Sequence, residues 1–351
     1  MDTHSLTVQL KEYALSQGVD LIGVTSARPF VIRDGTETII DPRELLDDAQ
    51  SVIVTAIYTN EVDHALLVNK DNPRGRYAHM DLVRGFTPIE TYYAETIKDF
   101  LGRHGYETVS NRDERIPNKL AASRAGVGKY GKNAVIITEA FGSYVMFVTL
   151  ITNAPLEYEE HDVYASDCGK CKICLEACPT GAIYEPYKLN RELCITEWLW
   201  GTFVPVHLRE KQGNLLFGCG ECLVACPKNK KLAPRTEYPV KIENVSTTPD
   251  LIPLVTGDEE YFREAIPSFP MRAGMDAIRG NAIIALGNIG TDTAIDPLCI
   301  TLTYPNPQIR AYSAWALGKI GGTKAKKALG SVLKSEENPD VRKEIQQALG
   351  S

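Results

Sequence analysis

A chain of 351 residues with 44% hydrophobic and 24% charged side chains is long enough for two or three domains with real cores and has an ordinary globular composition. Its net charge of -7 argues against wholesale coating of nucleic acid, while leaving room for a local basic face. No apolar run approaches the roughly 20 residues a spanning helix needs, and the opening MDTHSLTVQLKEY has neither a basic start nor a hydrophobic block, so no membrane is involved and the cytoplasm is the expected place.

The first stretch, residues 1–155, alternates helix and strand. Thr3 or Ser5 is placed to cap a helix ending at Gly18, and Asp20-Leu-Ile-Gly-Val-Thr25 then reads as a short buried strand. Ser51-Val-Ile-Val-Thr-Ala-Ile-Tyr58 is a second one. The spacing predicts an amphipathic helix from Pro88 to His104, stopped by Gly105, with a strand returning over Tyr106 to Ser110. Asn133 to Glu139 and Ser143 to Thr152 flank Ala-Phe-Gly142 and read as a hairpin. The fold class is therefore α+β, a layered reductase-like domain with at least one antiparallel pair.

Between that helix and the hairpin lies Leu120-Ala-Ala-Ser-Arg124-Ala-Gly126-Val-Gly128-Lys129-Tyr-Gly131-Lys132-Asn133. Three glycines in six residues allow backbone N–H groups to approach a ligand, and Arg124, Lys129 and Lys132 add positive charge, as an anion-tolerant cofactor loop would. A glycine-rich turn joining helix to strand is the plainer reading of the same residues.

Residues 156–240 carry the chemistry. Cys168, Cys171, Cys174 and Cys178-Pro179 follow the C-x2-C-x2-C-x3-C-P spacing of bacterial ferredoxins, in which three thiolates grip one 4Fe-4S cluster and the fourth crosses to its neighbour. Cys219, Cys222 and Cys226-Pro227 repeat the pattern one cysteine short, and Cys194 between the runs completes the eight thiolates that two cubanes need. If the usual crossing holds, Cys168, Cys171, Cys174 and Cys226 hold one cluster and Cys178, Cys194, Cys219 and Cys222 the other. Structural zinc sites rarely place Cys-Pro at both fourth positions. A disulfide framework fits poorly with a chain lacking a secretion signal.

After a Pro-, Thr- and Glu-rich linker, residues 255–351 repeat. Arg279-Gly-Asn-Ala-Ile-Ile-Ala-Leu-Gly287, Arg310-Ala-Tyr-Ser-Ala-Trp-Ala-Leu-Gly318 and Arg342-Lys-Glu-Ile-Gln-Gln-Ala-Leu-Gly350 are spaced 31 and 32 residues apart, a helix-pair repeat of the short HEAT kind. Pro307 to Ser351 holds eight Lys or Arg against four Asp or Glu. Such a basic end suits phosphate contacts, or is a solvated helical cap over the ferredoxin-like module. Cys299 reads as a small buried residue.

Taken whole, from about residue 8 onward, the chain resembles the cobalamin-dependent epoxyqueuosine reductases and their iron-sulfur relatives. The resemblance runs through Ala121 to Asn133, both cysteine runs, Glu259-Glu-Tyr-Phe-Arg263 and Arg279 to Asn288. It implies a first domain that binds cobalamin with no protein ligand below the cobalt, two 4Fe-4S clusters that feed it, and tRNA as the partner carrying the substrate. By position, Tyr77, Arg124, Gly126, Gly128, Lys132 and Asn133 are the expected cobalamin contacts. The family's proton donor is an Asp about nine residues ahead of the Leu-Ala of the glycine loop, where this chain has Asn111. A loop two residues shorter would bring Asp113 there, and Asp113 is the expected catalytic acid. The segment Arg76-Tyr77-Ala78-His79-Met-Asp81 matches the family's Asp-Tyr-His segment only in part.

The chemistry is consistent. Deoxygenating an epoxide needs two electrons, clusters pass one at a time, and a second carrier must gather them. No G-x-G-x-x-G after a strand offers a nicotinamide or flavin alternative. The expected protein is thus a monomeric oxidoreductase fed by an external low-potential electron donor, with tRNA lying along Lys228, Lys230, Lys231, Arg235, Lys324, Lys326 and Lys327. Two other readings stand beside it: a reductase of the same architecture acting on a small molecule, and a ferredoxin-type carrier whose repeats dock a protein.

Overall fold

The computed structural model describes every residue except 1, 34–36, 60–69, 79, 112–113, 162–167, 202, 234, 236, 243–247, 258, 267–271 and 351. Helix α1 (Thr3–Ser16) is capped by Asp2, whose carboxylate accepts from the Ser5 backbone N–H at 2.9 Å, so the cap lies one residue ahead of the expected Thr3. Strand β1 (Leu21–Ser26) follows, then a small hairpin of β2 (Phe30–Arg33) and β3 (Glu37–Ile40), then β4 (Ser51–Tyr58). The two-residue β5 (Arg76–Tyr77) precedes helix α2 (Met80–Arg103), β6 (Thr108–Ser110) and helix α3 (Asn118–Arg124). Next come β7 (Lys129–Tyr130), β8 (Ile136–Ile137) and β9 (Val145–Thr152).

The main sheet is antiparallel throughout, in the order β1-β4-β9-β6. Its central strand β4 is buried along its whole length because both faces are covered. In β4, Ile53 and Ile57 enter the larger core with Leu6 and Ile97 of α1 and α2. Val52, Val54 and Ala56 point the other way, into a second core with Ala121 and Ala122 of α3. Continuous apolarity in a strand of eight residues is what two-sided burial requires, and it marks this strand as central.

Two expectations are corrected. The helix expected from Pro88 begins at Met80 and carries Pro88 inside it; buried Phe86 anchors the added turns in the larger core, which offsets the backbone hydrogen bond that proline cannot make. The expected hairpin around Ala-Phe-Gly142 is absent. β8 turns back to pair with β7, an isolated bridge joins Thr138 to Gly142, and β9 pairs with β4 and β6.

Residues 168–235 contain four short helices, α4 (Ile173–Glu176), α5 (Ile195–Trp198), α6 (Val206–Gln212) and α7 (Glu221–Val224), with a hairpin of β10 (Ile183–Glu185) and β11 (Lys188–Leu189). The strand β12 (Leu215–Phe217) lies parallel to β5, pairing Leu215 with Arg76 and Phe217 with Tyr77, so the cysteine-bearing module is stitched into the first domain. The final helices Met275–Ile289, Pro307–Ile320 and Pro339–Gly350 stack in series. Their repeated glycines have a packing reason: a Cβ on Gly287 would lie 2.9 Å from the Ala316 Cα, and one on Gly318 the same distance from the Ala348 Cα. The 31-residue spacing of Gly287 and Gly318 therefore marks where successive repeats cross backbone to backbone, while Gly350, at the last repeat, meets no neighbour. Among the described residues no helix is long and apolar enough to cross a membrane.

Candidate iron-sulfur and substrate site

The two cysteine runs fold into matching loops. In each, the cysteine just before the Cys-Pro cysteine rides a single helical turn, Cys174 in α4 and Cys222 in α7, closed by equivalent bonds from Ala177 N–H to the Ile173 carbonyl and from Ala225 N–H to the Glu221 carbonyl. All nine cysteines are free thiols, so there is no disulfide framework. Cys168, Cys171, Cys174 and Cys226 line one cavity of about 230 Å³, together with Lys132, Asn133 and Ile137. Burial raises the Cys174 thiol, and Cys168, Cys171 and Cys226 raise it further. Burial pushes Cys219 up to about 11 and Cys222 up to about 12, with Cys194 adding to both. Cys222 also feels Cys174 and Cys178, so the two sets adjoin. Burial acts to raise Cys178 as well, yet backbone N–H groups of Ile183, Thr180 and Ala182, with the Thr180 hydroxyl, bring it below the ordinary thiol value. Donors already aimed at a sulfur favour a thiolate ligand. Among the described residues no three His, Cys, Asp or Glu side chains converge upon a single ion. Cys168, Cys171, Cys174 and Cys226 ring a space, as a polynuclear cluster requires.

The glycine loop sits against this module. Lys132, 8% exposed, donates to the Gly169 carbonyl at 2.5 Å and to the Cys171 carbonyl at 2.8 Å. Asn133 is buried, and its Nδ2 donates to the Cys222 carbonyl at 3.5 Å. Its Oδ1 is buried with no hydrogen-bond partner. Gly126 adopts φ +71°, and a Cβ there would meet the His161 ring at 2.4 Å; at Gly128 a Cβ would meet the Ile137 carbonyl oxygen at 2.7 Å. Both glycines thus serve the protein's own packing. Arg124 stacks 4.1 Å over Phe30 and donates to the Ser26 hydroxyl and to the carbonyls of Ser26, Arg28 and Pro29, fastening the turn between β1 and β2. Tyr77 is fully buried in the larger core and its hydroxyl has no hydrogen-bond partner; burial raises the phenol far above its ordinary value.

Asn111 has a definite task. Its Oδ1 accepts from the Ile116 N–H at 3.0 Å, and its Nδ2 donates to the Ile116 carbonyl at 2.7 Å and to Asn118 Oδ1 at 3.2 Å. Both ends of the amide are spent on closing the loop ahead of α3. Asp113, the expected acid, lies outside the described residues, as does His79.

Of the seven expected phosphate contacts, Lys228, Lys230, Lys231, Lys324, Lys326 and Lys327 are exposed. Lys324 is paired with Asp296 at 2.5 Å. Arg235 departs from expectation: its side chain is 8% exposed and its Nη1 donates to Asp20 at 2.7 Å and to the Tyr58 carbonyl at 3.0 Å, locking residue 235 onto the first domain. Sequence reasoning also missed Asn229, buried between Ser143 and the Leu223 carbonyl, and Asn281, whose Nδ2 holds the carbonyls of Leu199 and Leu216 at 3.1 and 3.0 Å. No local pattern marks a lone asparagine as a clamp between modules.

Comparison with known proteins agrees with this geometry. A model of the 4Fe-4S double cluster binding domain matches residues 167–229, and one of HEAT repeats matches 271–350. The chain is 31% identical to the epoxyqueuosine reductase of Bacillus anthracis, over 99% of this chain and 98% of the relative. It is also 31% identical to that of Bacillus subtilis (strain 168), over 99% and 96%. A crystal structure of epoxyqueuosine reductase with an epoxyqueuosine-modified tRNA-Tyr stem loop superimposes with a TM-score of 0.89 at 30% identity, covering 99% of both chains.

Proposed function

The chain belongs to the epoxyqueuosine reductase family, and from that premise we propose that it removes the epoxide oxygen of epoxyqueuosine in tRNA to give queuosine. The full-length match to enzymes of that name, joined to two adjoining sets of four thiols, is the observation that carries the reading. The reaction consumes two electrons and two protons, with the oxygen leaving as water. The protein's share is to bind the nucleoside, exclude water, place a proton and bring in electrons.

The chain divides, on this reading, into a substrate and cobalamin domain at 1–155, a cluster module at 156–240 and a helical repeat domain at 255–351. The cavity and the donors aimed at Cys178 fit thiolate-bound clusters, with Cys168, Cys171, Cys174 and Cys226 for one and Cys178, Cys194, Cys219 and Cys222 for the other. Asn133 fits a corrin: it lines the cavity of the first set of thiols, its Nδ2 reaches the Cys222 carbonyl, and its buried, unpartnered Oδ1 suits the amide donors that rim such a ring. Cobalamin, when bound, would supply a centre able to gather two electrons that arrive singly. Tyr77 stays neutral at all working pH values because burial raises its phenol, so it offers a hydrogen bond and no charge.

The proton falls to Asp113, since Asn111 is occupied in closing its loop and carries no transferable proton. tRNA lies along the exposed lysines of the helix Gly322–Val332 and of the segment after Cys226, in the cytoplasm. The test is turnover of an epoxyqueuosine-containing tRNA stem loop by anaerobic, cobalamin-loaded protein with a chemical reductant. Product queuosine supports the assignment. Bound, reducible cobalamin with no turnover of that stem loop favours the same machinery on another substrate, a reading to which the occupied Asn111 amide lends weight.

A further inference from the structure

The Lys132 ammonium is buried, yet its two hydrogen-bond partners are neutral carbonyls, those of Gly169 and Cys171. No ion pair to a carboxylate is formed by Lys132 among the described residues. A buried charge with no opposite one beside it is costly, and an anion placed in the same cavity would offset that cost. The same side chain lines the cavity of Cys168, Cys171, Cys174 and Cys226. A cubane held by four thiolates is negative as a unit, and gains one more negative charge on reduction.

We propose that Lys132 is the counter-charge of this first cluster and favours its reduced form, making it the preferred seat of an electron taken from a one-electron donor. The surroundings of the other four thiols are different. Arg76, which acts on Cys219, is already neutralised by Glu221 at 2.6 Å. Lys119, which feels Cys194 and Cys222, is exposed, donates to the Ala134 carbonyl at 3.1 Å and is opposed by Arg191, so solvent screens its charge. Lys132 is thus the buried cation beside the first set, whose cavity is also lined by the exposed Lys228, and a buried charge is screened less than an exposed one. An electron entering the pair rests at the Lys132 side until its onward acceptor draws it off.

The inference rests on the sorting of the eight cysteines given above, and wild-type iron content, read first, separates the two: about four atoms per chain in place of about eight would undo the sorting itself. Anaerobically reconstituted wild type, Lys132→Met, Lys132→Gln and Lys132→Arg are then titrated with dithionite in redox mediators, and the reduced clusters are followed by electron paramagnetic resonance. The wild type should show two separate midpoints. Lys132→Met and Lys132→Gln should lower the upper one by at least tenfold in the one-electron equilibrium, about 59 mV, while Lys132→Arg keeps it and the other midpoint stays in place. Loss of half the iron from the Met and Gln variants but not from the Arg variant also supports a need for the charge. Unshifted midpoints in the Met and Gln variants would overturn the proposal. So would equal iron loss in all three variants, because the loop would then need the shape of lysine and not its charge.

Discussion

Removal of the Glu344 carboxylate should destabilise the protein well beyond the effect of an ordinary surface change. Arg209 is fully buried in α6, and its Nη2 donates to Glu344 at 2.9 Å across the junction with the last helix. Its Nε donates to the Val204 carbonyl at 3.0 Å, and its guanidinium lies 5.1, 5.0 and 5.7 Å from the ring centres of Phe203, Tyr312 and Trp315. Those rings supply quadrupole but no charge, so in Glu344→Ala the cation stays buried and unpaired, at a cost of about 3–5 kcal/mol. With an unfolding entropy of about 2.1 cal/mol/K per residue over 351 residues, that cost lowers Tm by about 4–7 °C if the chain melts as one unit. The assay is thermal unfolding followed by far-ultraviolet circular dichroism in wild type, Glu344→Ala, Arg209→Met and the double variant Arg209→Met with Glu344→Leu. Because a desolvated pair can be exchanged for apolar groups at little net cost, the double variant should recover most of the loss. A Glu344→Ala Tm within about 1 °C of wild type would refute the reasoning, since it would show that water or another anion reaches Arg209.

Fully reconstituted protein should bind about eight iron atoms, and Cys194→Ser should lose one cluster and keep the other, as read by iron analysis and visible absorption. Asp113→Asn should cut turnover by ~10² to 10⁴-fold with iron and corrin binding intact, and Asn111→Ala less; wild-type rates in the first variant would place the donor elsewhere. Neutralising Lys324, Lys326 and Lys327 together should weaken stem-loop binding and flatten its salt slope by up to about three phosphate contacts, whereas an unchanged slope returns these residues to a solvated face. Glu336 accepts from Arg310 at 2.7 and 2.9 Å, and this bond holds its carboxyl below the ordinary value of 4.5. Its contribution to stability is therefore complete above that value and lost as pH falls through the lowered one, so denaturant titrations of Glu336→Gln should show a flatter fall in stability in that acid range.

The parts of the molecule legible in its sequence were those whose cause is local. Ferredoxin spacing follows from how a few consecutive residues wrap a cluster, and the 31-residue spacing of Gly287 and Gly318 follows from one crossing repeated. Where the cause was distant or the local pattern ambiguous, the reading strayed. Ile136 and Ile137 pair backward to Tyr130 and Lys129, a local choice that their apolarity left open, since it would serve equally in a forward hairpin. Arg235 looked like a phosphate contact because Asp20 stands 215 positions away. Two glycines of the loop before Lys132 are crowded by the protein's own His161 and Ile137, contacts that no local pattern in the loop announces.

The clamps that Asn281 and Asn288 place on the cysteine module have a consequence for biogenesis. Asn281 holds the carbonyls of Leu199 and Leu216, and Asn288 those of Arg209 and Gly213, so the walls flanking α6 are fixed by a helix that is synthesised some 50 residues after the last of the eight ligand cysteines. A nascent chain that has just exposed Cys226 presents every thiol while α6 and β12 still lack these two clamps. Iron delivered at that moment meets a loose set of sulfurs open to oxidation and exchange. Iron delivered after residues 275–289 have docked meets a fixed frame.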